Sequence, residues 1–107
     1  MLSIEDFAKL DIRIGKIIEV GDAETKKPMY RIRVDFGALG IKQAIAGIKP
    51  YYRKEELLNK KFVFVVNLEP KKIGNVLSEC MILAATEGDE VVVLQPEKDI
   101  EIGSKVS

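Results

Sequence analysis

A chain of 107 residues with 47% hydrophobic and 32% charged side chains carries apolar material for one packed core and is expected to fold as a single domain, residues 1–107. It contains 17 basic and 17 acidic side chains, no histidine, and Cys80 as its only cysteine. That inventory excludes an internal disulfide and a zinc site and removes the commonest proton-transfer group near neutral pH; no enzyme activity, catalytic residue, metal or cofactor is expected.

Ser3, followed by Glu5 and Asp6, reads as the N-cap of a short helix to about Leu10, with Leu2, Ile4, Phe7 and Leu10 at helical spacing. From Asp11 the period changes to two. Residues 11–20 predict a strand with Ile12, Ile14, Ile18 and Val20 on one face, and a phase break at Lys16 and Ile17, beside Gly15, predicts a bulge or bend. The loop from Gly21 to Pro28 carries Lys26 and Lys27. Residues 29–36 are the plainest strand: Tyr30, Ile32, Val34 and Phe36 point one way, Arg31, Arg33 and Asp35 the other. Gly37-Ala38-Leu39-Gly40 matches an RNA-clamping GXXG loop, but it lies between strands instead of helices and reads as a hairpin connection. A third strand, Ile41 to Ala46, carries Lys42 and ends at Gly47 and Pro50.

Residues 51–58 read as a helix whose first residues, Tyr51 and Tyr52, could stack on bases but, beside Pro50 at a helix start, are expected to staple it to the barrel. Lys61 to Leu68 follows as a nearly continuous apolar strand, expected to be buried on both sides. A Pro70 turn and a basic loop at Lys71 and Lys72 lead to strands at 81–85 and 91–94, then to a tail with Ile100, Ile102 and Val106. Three strands, a helix and further strands give a mainly β fold. The expected architecture is a five-stranded OB-fold barrel with short helices at the N-terminus and between strands 3 and 4, plus C-terminal extension strands. No apolar stretch approaches the roughly 20 residues that cross a bilayer, so no membrane insertion is expected and cytoplasm is the expected compartment.

Zero net charge hides an uneven distribution. Residues 1–23 carry 3 basic and 5 acidic side chains, residues 24–74 carry 12 and 5, and residues 75–107 carry 2 and 7. A basic middle between acidic ends can build a local positive patch that meets a polyanion. OB barrels bind oligonucleotides with the strand 2 and 3 face and with the loops after strands 1 and 4. In this chain those places carry Arg31, Arg33 and Lys42, Lys26 and Lys27, and Lys71 and Lys72.

Four ordered motifs carry a family resemblance: Asp11-Ile-Arg-Ile-Gly-Lys-Ile17, Val66-Asn-Leu-Glu-Pro-Lys-Lys-Ile73, Ser78-x-x-Met81 with Leu83-Ala84-Ala85, and Pro96-Glu-Lys-Asp-Ile-x-x-Gly103-Ser-Lys-Val106. Together they resemble the tRNA-binding domain of methionyl-tRNA synthetases, a family that includes free-standing homodimers and CsaA-like chaperones. The resemblance implies a dimeric OB-fold that recognises tRNA by shape, with Asn67, Lys71, Lys72, Ser78 and Met81 lining the RNA site. The lysines would meet phosphates, Asn67 and Ser78 would hydrogen-bond sugar or phosphate, and Met81 would offer an apolar surface. Cys80 stands where the family usually has glycine, and Lys27-Pro28-Met29-Tyr30 with Gly40-Ile41-Lys42-Gln43 is closer to the CsaA branch. The branches imply different further partners: a methionyl-tRNA synthetase for one, unfolded, export-bound polypeptides for the other. A chaperone would need a contiguous apolar groove, for which the sequence offers Met29, Leu77 and Met81.

Overall fold

The computed structural model describes residues 1–107. Ser3 caps α1 (Ile4–Phe7): its hydroxyl accepts from the Asp6 N–H, and the Asp6 carboxylate accepts from the Ser3 N–H. This capping box satisfies two otherwise orphaned donors. The helix stops at Phe7, one turn short of the expected Leu10, and buries none of its residues.

Three antiparallel strands follow, β1 (Ile12–Asp22), β2 (Tyr30–Asp35) and β3 (Ile41–Ala46), with the Gly37–Leu39 turn joining the last two as a hairpin connection. After α2 (Lys54–Leu57), β4 (Lys61–Val65) returns to the free edge of β1. The chain then forms β5 (Lys71–Ile73), β6 (Val76–Ser78) and β7 (Met81–Ile82), and β7 pairs with β4. The resulting order, β3-β2-β1-β4-β7, is that of a nearly closed five-stranded OB-type barrel. Tyr30, Ile32, Val34 and Phe36 fill its interior with Phe62, Phe64 and Leu57, and Phe36 meets Phe64 edge to face at 5.4 Å between centroids. Tyr52 ties the helical segment down: its hydroxyl accepts from the Val93 N–H at 3.0 Å, and its carbonyl accepts from the Tyr30 hydroxyl at 2.7 Å. Tyr51 is exposed.

The bulge in β1 falls later than expected. Register against β2 shifts between Ile17 and Glu19, so Ile17 is fully buried while Ile18 is left half-buried. Gly15 serves close packing instead: a Cβ there would lie 2.5 Å from both Val34 and the Phe36 ring.

Other departures concern the second half. The expected loop around Lys71 and Lys72 is the β5–β6 hairpin, turned at Gly74 and Asn75. β4 ends at Val65, with Val63 and Val66 half-buried and Leu68 exposed, so its burial is not two-sided throughout. The expected strand 81–85 is split between β7 and β8 (Ala84–Glu87), and β8 pairs with β9 (Glu90–Val93) in a sheet of its own. Leu83 makes the crossing, its N–H donating to the Val63 carbonyl and its carbonyl accepting from the Leu94 N–H. The tail returns as β10 (Lys105–Val106) beside the start of β1.

Candidate nucleic-acid interface

The first loop and the β5–β6 hairpin touch. A Cβ on Gly74 would lie 3.0 Å from the Glu24 carbonyl oxygen and 3.5 Å from the Thr25 methyl. Between the two stretches lies a cavity of about 250 Å³ with Arg31 in its wall, and Lys26 and Lys27 line an adjoining hollow with Gly74 and Ile73. The strand 1–2 loop, the hairpin and the outer side of β2 therefore form one continuous rim.

The charges on this rim are not equally available. Arg31 and Arg33 share one carboxylate: Arg31 Nη2 is 3.1 Å from Glu19 Oε2, and Arg33 Nη1 is 3.6 Å from Glu19 Oε1. Close by on the same strand, Asp22 pairs with Lys49 at 3.0 Å and Lys54 at 3.3 Å, and Lys49 first, then Lys54, holds its carboxyl below the usual range. Lys26, Lys27, Lys71 and Lys72 are exposed and form no ion pair. Their charge is free to act on an incoming anion.

Within the hairpin the two lysines part company. Lys71 and Ile73 line a groove of about 250 Å³ together with Ile45, Leu68, Ser78 and Met81. Alternation turns Lys72 and its cross-strand partner Leu77 to the other face. Lys71 thus stands over an apolar floor, and Met81, 47% exposed, forms part of that floor.

Two of the expected hydrogen-bonding residues are engaged by the fold. Asn67 accepts from the Asp11 N–H at 2.8 Å and donates to the Lys9 carbonyl at 2.7 Å, clasping the start of β1. Ser78 Oγ accepts from the Ile45 N–H at 3.1 Å. Beside it, the Glu79 N–H donates to the Gln43 carbonyl at 2.9 Å, and the Gln43 N–H donates to Glu79 Oε1 at 3.1 Å. These three bonds satisfy the free edge of β3 and close the barrel. Lys42 lies apart from Arg31 and Arg33: it falls opposite Val34, on the core-facing register, near Cys80. Burial first, with Glu79 adding to it and Lys42 opposing, pushes the Cys80 thiol up to about 12, so it stays protonated and inert.

The structure therefore brings the Lys26 and Lys27 loop, Arg31 and the hairpin that carries Lys71 to one rim, which Asp22 and Glu24 also line, with Arg33 beside Arg31, Met81 in the groove of Lys71 and Lys72 on the hairpin's other face. Sequence reading missed Glu19 as the arginines' counterion and missed the apolar floor of Ile45, Leu68 and Ile73. Ile45 could have been found from strand alternation, since it shares the outward register of Gln43.

Comparison with known proteins places these features in a family. The chain is 49% identical over 105 residues to the methionine–tRNA ligase of Pyrococcus horikoshii, a match covering 98% of this chain and 14% of the ligase. The chain thus spans about one-seventh of the length of such relatives. Among solved structures it superposes on the CsaA chaperone protein of Picrophilus torridus with a TM-score of 0.93 and 44% identity, covering all of both chains. It superposes on a methionyl-tRNA synthetase-related protein of Pyrococcus horikoshii with a TM-score of 0.92 and 30% identity, covering 100% of this chain and 98% of the other. The family model described as "Putative tRNA binding domain" matches residues 12–105, and the chain belongs to that family.

Proposed function

We propose that this chain is a non-catalytic module that binds structured RNA, tRNA above all, through the backbone phosphates, and that it works in the cytoplasm as a homodimer. The observation that carries this reading is the rim itself: the lysine-bearing strand 1–2 loop and β5–β6 hairpin, about 45 residues apart in sequence, pack together beside the outer side of β2, and their four lysines form no ion pair although Asp22 and Glu24 line the same walls. The similarity to methionine–tRNA ligases supports a setting beside that enzyme, as an accessory tRNA-binding subunit. A dimer would present two modest rims to one RNA and raise affinity through multivalency.

Gel shift with tRNA across a salt series tests the reading. Affinity should fall steeply between about 50 and 200 mM salt as condensed counterions compete. Lys71→Ala with Lys72→Ala should weaken binding about tenfold and flatten the salt slope by about two contacts. Binding that ignores salt overturns the phosphate reading; binding unchanged in the double variant removes the hairpin from the site.

The groove of Ile45, Leu68, Ile73 and Met81 favours a second reading, a holder of unfolded polypeptide segments, and the likeness to CsaA chaperones supports it. Suppression of aggregation of a model unfolded protein, undiminished by competing tRNA, would establish it.

A further inference from the structure

Away from the rim, a cavity of about 510 Å³ forms a shallow groove whose lining is polar and charged apart from Pro96. It is carried by β1, by the start of β4 and by the segment after β9, and shares no residue with the rim or the Met81 groove. Lys16, Lys60, Lys61 and Lys98 line it, against only Glu97 and Asp99.

This arrangement costs stability. Lys16 and Lys61 sit directly opposite each other in the β1–β4 ladder, and like charges across a ladder repel. One carboxylate relieves them: Lys61 Nζ donates to Asp99 Oδ1 at 2.7 Å and to the Ile100 carbonyl at 2.6 Å. The Lys61 hydrogen bond, then the charges of Lys61 and Lys16, hold Asp99 below the usual carboxylate range, so it is ionised at neutral pH. Lys16, Lys60 and Lys98 are left with no ion pair, in a protein with as many acids as bases. Lysines placed for solubility would be interspersed with acids. Here four lysines outnumber two acids on one wettable groove and three of the four form no ion pair; the groove is too open to enclose a small molecule and suited to a charged strand laid across it.

We propose that this groove is a second phosphate-binding surface, which takes the sugar–phosphate backbone of the same RNA that the rim engages. Lys60 and Lys98 are its outer contacts, being exposed and unpaired, whereas Lys16 and Lys61 form its half-buried base. The inference rests on the RNA-binding reading above.

The test is Lys60→Ala with Lys98→Ala in the full chain, titrated with tRNA beside the unchanged protein and the Lys71→Ala, Lys72→Ala variant. Thermal melting of each serves as the folding check. The groove variant should melt as the unchanged protein does, bind tRNA about tenfold more weakly near 0.1 M salt, and lose about two units of salt slope. Its losses should add to those of the rim variant, because the two sites share no side chain. An unchanged protein that binds and a groove variant with the same affinity and slope would overturn the second surface alone. Failure of the unchanged protein to bind tRNA at all would overturn both it and the reading on which it rests.

Discussion

Ser78 shows how one hydroxyl can carry a family signature for a structural reason. Its Oγ accepts the Ile45 N–H on an edge that no strand covers, so it replaces a missing ladder bond. Ser78→Ala would leave that half-buried donor unsatisfied, at a cost of about 1–2 kcal/mol. The expected readout is a fall of roughly 5–10 °C in melting temperature. A variant that melts normally yet loses tRNA affinity would instead make Ser78 a direct RNA contact. Asn67 has the same character, with both ends of its amide spent on the backbone of residues 9 and 11. Their residue types suggested contact with sugar or phosphate; partnership with backbone groups in remote strands leaves no local trace in the sequence, and only the folded barrel reveals it.

At the level of elements, the β5–β6 hairpin is held to the strand 1–2 loop through Gly74. Its φ of 62° suits glycine, and a methyl group would press on the Glu24 carbonyl. Gly74→Ala should loosen both stretches together, seen as faster amide hydrogen exchange at residues 22–28 and 71–78 and a several-fold loss of tRNA affinity. Unchanged exchange would show that the contact is incidental. The strands of the barrel were legible because Tyr30, Ile32, Val34 and Phe36 alternate into a single interior and because Lys61 to Leu68 is a nearly continuous apolar run, although the alternation of Phe62 and Phe64 within that run reads as two-sided burial. The hairpin escaped because its arms are three residues long, too short for periodicity to register, although Gly74-Asn75 is a recognised two-residue turn signal. The split of 81–85 escaped for another reason: Met81 to Ala85 reads as one apolar run, and the change of pairing partner at Leu83 depends on Val63 and Leu94, both distant in sequence. Of the candidate site, the basic loops could be read from charge alone. The separation of Lys71 from Lys72 required knowing that they lie in a strand, where neighbours face opposite ways.

For the whole molecule, α1 and the residues flanking it present Leu2, Ile4, Phe7 and Leu10 to solvent, exposed by 84%, 74%, 41% and 38%. A well-capped helix with an uncovered apolar side is the natural seam for the proposed homodimer, and a chain of zero net charge does not repel its copy. Light scattering should give twice the chain mass, and Leu2→Glu with Phe7→Glu should give the single mass, with weaker tRNA binding through lost avidity. A monomer in the unchanged protein would end the dimer proposal. Molecular neutrality also acquires a purpose when acids are placed as Glu19 is, bridging two guanidiniums. Arg31 and Arg33 are thereby both paired to Glu19 before any ligand arrives. A phosphate taking the place of Glu19 would meet two guanidiniums already drawn to one point, and would have to evict a resident anion to do so. Such an exchange lowers the ordering cost of capture while capping its strength, the behaviour expected of a handler that must let its cargo go.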